Sequence, residues 1–179
     1  MLRITIPPRE FWDEVHQEFV YFGEQTLQLE HSLISISKWE SKWHKSFLST
    51  YDKTTEEILD YIQCMTLTPN VNPGVYSCLT DENIEQINNY ISDSMTATCF
   101  YDEKTFGPRE TITSELIYYW MIVNSIPFEC QKWHINRLIT LIKVCTIKNQ
   151  PKRKLSNQEI LSRNARLNEE RRRKLNTTG

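Results

Sequence analysis

Glycine is scarce in this sequence, with 4 among 179 residues. Few glycines leave few of the tight turns on which all-β folds depend, and no glycine-rich phosphate loop of the Walker A or dinucleotide-binding type occurs. Long apolar runs are also missing, because the longest, Leu116 to Val123, has eight residues whereas a membrane span needs about 20. The amino-terminal stretch lacks the apolar segment of a secretory signal. We therefore expect neither an all-β sandwich, nor a membrane protein, nor a secreted one.

Motifs of catalysis and of disulfide frameworks are absent as well. The five cysteines form no CxxC pair, and an odd number of unpaired thiols is typical of a reducing cytosol. No HExxH or GxSxG motif occurs. The acidic pairs Glu56–Glu57 and Asp81–Glu82 stand at predicted helix starts, where capping and the helix dipole explain them. The sequence predicts a protein that is not an enzyme and that has no cofactor.

Charge divides the chain into two parts. Residues 151–179 contain nine Lys/Arg and three Asp/Glu, a net charge of +6, whereas the rest of the chain has a net charge of −8. Such asymmetry often marks an interaction segment. We predict a helical domain over residues 1–150, followed by a basic helical tail over residues 151–179.

Periodicity predicts a mainly α fold. An alternating run at 2–6 predicts a strand, and two apolar runs around Gly23 predict a hairpin over 18–32. Within 32–48, the run "LISIS" alternates like a strand, but the apolar residues from Ile36 to Phe47 stand at helical spacing and favour an amphipathic helix. The same spacing predicts helices further along the chain. Their starts carry capping residues, namely Thr54, Thr80, Thr113 and Ser156. The expected architecture is a helical bundle with a small N-terminal β element and a basic C-terminal helix.

The stretch from Pro127 to Cys145 holds the residues best suited to chemistry. On a helical wheel of residues 128–147, His134 and Cys145 fall between leucines in the most apolar sector. A buried free cysteine behaves as a small apolar residue, so we interpret the segment as a core helix with a hydrogen-bonded histidine. Cys130 and His134 are four residues apart and would suit a metal, but two further ligands would be needed. A metal-dependent enzyme built on them is the less favoured alternative.

Two other groups of residues are candidates for binding a partner. Trp39 and Trp43 lie four apart on a lysine-flanked stripe, and we interpret them as core aromatics or, alternatively, as anchors for a partner. The tail contains a leucine and a run of basic residues. These residues are compatible with a solvent-exposed helix end, with docking to another protein, or with binding to nucleic acid. Nucleic acid is least favoured, because glutamates interrupt the cations and no aromatic residue is interleaved. The tail candidates are Leu167, Arg171, Arg172, Arg173 and Lys174.

Several strings resemble a known set of proteins. "LEHSLISISKWESKWHKSFL", "ITSELIYYWMIVNSIPFECQKWHINRLITLI" and "LSNQEILSRNARLNEERRRKLNTTG" are similar to small proteins encoded by tailed bacteriophages of Gram-positive hosts, a set associated with tail assembly chaperones. "KTTEEILDYIQCMTLT" and "ENIEQINNYISDSMTAT" extend the resemblance to most of the chain. Ser46 departs from it, because relatives carry proline there, and so does the Asn176–Gly179 end, where relatives carry a Gly-Thr-Arg-Gly-like string.

The resemblance implies a non-enzymatic binder in the host cytoplasm. Such chaperones hold the long helical tape-measure protein in solution while tail-tube subunits polymerise around it. Aromatic-rich helices would then supply an apolar groove, and the basic C-terminal helix would engage the tube subunits. The alternatives are a structural virion component, such as a connector or baseplate part, and a small nucleic-acid-binding regulator. A homo-oligomer is compatible with each of these.

Overall fold

The computed structural model describes residues 1–13, 17–100, 111–149 and 157–175. The chain divides into two compact units, Met1–Lys148 and Asn149–Gly179. The fold is mainly α with a small β element at the amino terminus, as the sequence predicts. The expected cap at Ser156 lies outside the described residues.

The β element consists of two nested antiparallel pairs. Strand β1 (Leu2–Ile6) pairs with β4 (Gln25–Leu29), and β2 (Arg9–Asp13) pairs with β3 (Glu18–Phe22). The strand at 2–6 is confirmed. The prediction of a hairpin over 18–32 is wrong. Its two runs are strands, but β3 pairs with β2 and β4 pairs with β1. The outer pair is favoured by its buried face, on which Ile4 lies opposite Leu27 in the core.

Helix α1 covers Leu33–Trp43. Its cap is Ser32, whose Oγ accepts a hydrogen bond from the Ser35 N–H at 3.3 Å. The alternating "LISIS" segment is therefore helical. The helix ends earlier than the predicted position 48, because His44 adopts a left-handed conformation with φ of 52°. Phe47 follows in a turn and still packs in the core.

The next three helices begin where the capping residues predict. Helix α2 (Thr55–Met65) follows a capping box in which Thr54 and Glu57 satisfy each other's backbone N–H groups. Helix α3 (Asp81–Ser92) follows Thr80, and helix α4 (Ser114–Val123) follows Thr113. A short 3-10 helix, Pro73–Cys78, lies between α2 and α3.

The prediction of one continuous helix over 128–147 is wrong for residues 128–134. Phe128–Lys132 forms a 3-10 turn, and helix α5 covers only Ile135–Asn149. The break arises because the backbone at 134–135 pairs with the segment that precedes α1. Ser32 forms a β-bridge with His134, and the Ile135 N–H donates to the His31 carbonyl at 2.8 Å. A distant backbone partner thus outcompetes the local helix.

One hydrophobic core joins the inner face of the β1–β4 pair to the helices of the first unit. Its fully buried side chains include Ile4, Leu27, Leu29, Leu33, Ile36, Trp39, Met65, Ile117, Met121, Ile135 and Leu138. The second unit holds helix α6 (Asn157–Leu175), and every side chain described in it is solvent-exposed.

Candidate functional site

His134 is a structural residue at the start of α5. Its Nδ1 accepts from the Asn136 N–H at 3.3 Å, so Nε2 carries the proton and donates to the Tyr90 carbonyl at 3.0 Å. Burial lowers the pKa of His134, and both ring nitrogens are in use. The interpretation of His134 as a hydrogen-bonded core histidine is confirmed, although the residue lies just before a helix instead of within one.

A second buried histidine, His31, lies beside His134, with 5.0 Å between ring centroids. Its Nδ1 is hydrogen-bonded to the Tyr61 hydroxyl. Burial and, to a smaller extent, the nearby His134 together lower the pKa of His31 to about 3. Two uncharged imidazoles therefore stand edge to face inside the core, where His31 and His134 are 2% and 6% exposed.

Four of the five thiols are poorly placed for nucleophilic attack because they are buried or half-buried, whereas Cys99 is exposed. Cys78 and Cys130 are buried, and Cys64 and Cys145 are half-buried. Burial raises the pKa values of the Cys64 and Cys78 thiols, which disfavours the reactive thiolate. Across residues 1–13, 17–100, 111–149 and 157–175, no three His, Cys, Asp or Glu side chains are grouped closely enough to hold a metal ion. The metal site considered for Cys130 and His134 lacks the further ligands it would need there.

Trp39 and Trp43 belong to the α1–α2 interface. Trp39 is fully buried, and its Nε1–H donates to the Glu57 carbonyl at 2.9 Å. Trp43 is half-buried and donates to Asp60 at 2.8 Å, while Lys42 forms an ion pair with the same carboxylate. The core interpretation holds for Trp39, and a role as a partner anchor does not fit its position. Trp43 retains an accessible edge.

Helix α6 presents the tail candidates to solvent. Arg173 pairs with Glu169 at 2.9 Å and Arg166 with Glu170 at 3.6 Å, each along the helix. At about 100° per residue, Arg171 and Arg172 project from the opposite side. Leu167 and Lys174 are also exposed. Their binding role stays a prediction.

A solvent-facing apolar surface on α4 was not among the predicted sites. The helix is apolar around its whole circumference after its first two residues. Ile117 and Met121 fill the core, whereas Tyr119, Ile122 and Val123 are 59%, 61% and 60% exposed. A helix that is apolar all round is normally buried all round. We call Tyr119, Ile122 and Val123 the α4 face.

A second exposed patch lies on the β2–β3 hairpin. Trp12 pairs with Phe19 across the strands, with 4.9 Å between their ring centroids, and Tyr21 pairs with Glu10. All four side chains point to one side of the ribbon because residues two apart share a face. The three rings are 52%, 66% and 67% exposed. We call Glu10, Trp12, Phe19 and Tyr21 the hairpin face.

The run Leu116 to Val123 was the sequence signal for the α4 face. Eight consecutive apolar residues are more than a helix with one buried side requires. They indicate that a second side of the helix also makes an apolar contact. No comparable signal in the sequence indicated the hairpin face, because strand β2 was not predicted and β3 was predicted to pair with the wrong strand.

Comparisons of the chain with protein-family models, with curated protein sequences and with solved structures gave no match. Among the helices that the structure describes, none combines the length and apolar character needed to cross a membrane. The candidate sites on the described residues are the α4 face and the hairpin face.

Proposed function

We propose that this protein is a non-enzymatic tail assembly chaperone of a tailed bacteriophage, which binds the tape-measure protein and tail-tube subunits in the host cytoplasm. The observation that carries the proposal is the α4 face. An apolar helix surface exposed on an otherwise well-packed unit is typical of a protein-binding site. The resemblance of several strings of the sequence to phage tail assembly chaperones is the reason for proposing the tape-measure protein as the partner.

The shape of the α4 face suits a helical partner. A helix of ten residues is about 15 Å long. Its exposed side chains, Tyr119, Ile122 and Val123, stand at i, i+3 and i+4, the spacing with which amphipathic helices pack. A tape-measure protein repeats such apolar stripes along its length, so one chaperone would cover one short segment of it.

The size of this face favours a reversible contact. Full burial of an apolar side chain contributes about 1.5–3 kcal/mol, so three side chains supply at most about 9 kcal/mol before the entropic cost of association is subtracted. A single contact of this strength dissociates readily. Many copies along one tape-measure chain would protect it together and still be displaced by polymerising tube subunits.

The interior of the protein supports binding over catalysis. His31 and His134 are uncharged, hydrogen-bonded and buried. The buried thiols of Cys78 and Cys130 fill space in the same core. These groups stabilise the fold, and the exposed apolar surfaces are left to perform the function.

Co-purification with the tape-measure protein of the same phage tests the proposal. The tagged chain is co-expressed with it in three forms: unchanged, Ile122→Glu on the α4 face, and Ile58→Glu on α2. Ile58 is an exposed helical isoleucine outside the α4 face and provides a matched control. We expect Ile122→Glu to lose the tape-measure protein and Ile58→Glu to retain it, with both variants equally stable in urea.

Equal recovery of the tape-measure protein with both variants would remove the α4 face from the mechanism. Mass spectrometry of purified virions separates a chaperone from a structural component. A chaperone is absent from the finished particle, whereas a connector or baseplate part is present in fixed copy number. Deletion of residues 151–179, assayed by co-purification of tape-measure and tube proteins, tests whether the tail contributes to either contact.

A further inference from the structure

The hairpin face has the chemistry of an arginine-binding surface. It offers the rings of Trp12, Phe19 and Tyr21 beside the carboxylate of Glu10. Guanidinium groups stack on aromatic faces and pair with carboxylates in the same contact, which ammonium groups do less well. A surface of this composition selects arginine over other side chains.

The opposite side of the hairpin anchors it to the body of the unit. Phe11 and Phe22 pack edge to face with 6.1 Å between centroids. The Phe22 ring also lies directly against Gly74, where a side chain would clash with it. The hairpin face is therefore presented on a fixed support, and its exposure is a property of the folded unit.

The molecule already uses arginine–aromatic stacking elsewhere. The Arg137 guanidinium lies 4.4 Å from the centre of the Trp133 ring, and that of Arg9 lies 5.2 Å from the Phe11 ring on the inner side of the hairpin. The outer rings of the same hairpin are exposed to solvent. An arginine from another molecule is the group that would complete the pattern.

Opposite net charge favours α6 as the source of that arginine. Residues 9–24 contain five acidic residues and one basic residue, a net charge of −4, whereas residues 157–175 contain six basic and three acidic residues, a net charge of +3. On α6, Glu169 and Glu170 are engaged by arginines on one side of the helix. The other side carries Arg171 and Arg172 together with leucines, so it combines guanidinium groups with apolar contact.

We propose that the Arg171–Arg172 side of α6 in one copy of this protein docks on the hairpin face of a second copy. Arg171 and Arg172 stack on the exposed rings, and Glu10 pairs with one of the guanidinium groups. The contact joins two different surfaces, so it is head-to-tail. Copies then associate into open chains or closed rings instead of stopping at a symmetric dimer. The α4 face is not part of this contact, so the inference stands apart from the proposed function.

Sedimentation velocity of the full-length protein tests the inference. We expect the weight-average mass to rise with protein concentration and to fall as salt is added, because the contact joins opposite charges. Arg171→Glu with Arg172→Glu should weaken association at least about tenfold, the size expected for two lost cation–π contacts. Lys132→Glu with Lys148→Glu changes the net charge by the same amount at exposed positions outside both surfaces, and it should leave association nearly unchanged.

A mixing experiment separates this arrangement from other ones. One variant, Phe19→Ser with Tyr21→Ser, retains the helix and loses the hairpin face. The other, Arg171→Glu with Arg172→Glu, retains the hairpin face and loses the helix side. Each alone should be monomeric, and an equal mixture should form a 1:1 complex and nothing larger.

Three results would overturn the inference. The unchanged protein is monomeric at concentrations on the order of 100 μM, where a contact of two or three hot-spot side chains should be populated. Self-association persists in the hairpin variant but not in the helix variant, which indicates that α6 pairs with another α6. Association is lost equally in the Lys132/Lys148 control, which indicates a general charge effect.

Discussion

The imidazole rings of His31 and His134 lie 5.0 Å apart in the core, at an interplanar angle of 73°. His31 precedes α1 and His134 precedes α5, and the Ile135 N–H joins the two segments by donating to the His31 carbonyl. The pair stands where the amino-terminal β element meets the last helix of the first unit. A charge placed on either ring would act on this junction.

Acid should therefore destabilise the protein in the range where histidine titrates. Burial lowers the pKa of His31 to about 3, whereas an unfolded histidine has a pKa of about 6.5. Because the unfolded state binds more protons, the stabilisation is complete above about pH 6.5 and is lost as the pH falls from there toward 3. His31 alone should reduce the free energy of unfolding by about 2 kcal/mol between about pH 7.5 and about pH 5. His134, whose pKa is also lowered, acts in the same direction.

Urea unfolding at a series of pH values measures this slope. His31→Gln should flatten it, at the cost of lower stability at neutral pH, because the hydrogen bond with Tyr61 is altered. His44→Asn is the control, since His44 is exposed in a left-handed conformation that asparagine tolerates. A midpoint that does not change between neutral and mildly acidic pH in the unchanged protein would contradict the prediction.

A buried carboxylate ties three separate segments together, and its loss should be costly. Glu40 on α1 accepts from the Phe47 N–H at 2.8 Å and from the Ser114 N–H at 2.7 Å. The second contact satisfies the first turn of α4, where a negative charge is favourable. Glu40→Gln keeps the shape but turns one acceptor into a donor that faces an N–H group, so we expect a loss of about 1–3 kcal/mol in the free energy of unfolding. Glu85→Gln, at an exposed position on α3, should change the urea midpoint little, and a similar effect of both substitutions would refute the assignment.

How much of this could be read from the sequence depends on the range of the interactions. The starts of α2, α3 and α4 were predictable because Thr54, Thr80 and Thr113 cap helices through bonds that span three residues. The break before α5 was not predictable, because it depends on a β-bridge between Ser32 and His134, which are far apart in the chain. The predicted pairing of β3 with β4 was wrong because β4 pairs with β1, which is distant in the chain, and because β2, the neighbouring strand with which β3 pairs, was not predicted.

The candidate surfaces show a different limit. Trp39 could be recognised as core from its helical spacing, and the structure places it there. For α4, the apolar run indicates that two sides of the helix make apolar contacts. It does not indicate which side packs against the core, because Ile117 and Ile122 are chemically alike. Only the tertiary packing distinguishes the buried isoleucine from the exposed one.

The glycine at position 74 should be required for the hairpin to remain docked. A Cβ atom at Gly74 would clash with the ring of Phe22, whereas one at Gly23 would come no closer than 4.0 Å to Tyr21. We expect Gly74→Ala to destabilise the protein by about 1–3 kcal/mol, as overpacking does, and to increase hydrogen exchange in residues 9–22. Gly23→Ala should leave both measurements close to those of the unchanged protein. If the backbone amides of the hairpin still exchange slowly in Gly74→Ala, the Phe22 ring has shifted to accommodate the methyl group and the hairpin has stayed docked, which would contradict the prediction.

Two tryptophan substitutions distinguish a core role from a surface role. Trp39→Phe removes the hydrogen bond to the Glu57 carbonyl and leaves a void in a fully buried site, so the free energy of unfolding should fall by about 2–4 kcal/mol. Trp12→Phe changes an exposed ring on the hairpin face and should fall within about 0.5 kcal/mol of the unchanged protein. In sedimentation velocity the order of the two effects should be the opposite. Trp12→Phe should weaken self-association, whereas Trp39→Phe, measured below its unfolding transition, should leave self-association unchanged. A large loss of stability from Trp12→Phe would mean that the hairpin face is part of the core, and the docking of α6 on it would then have to be abandoned.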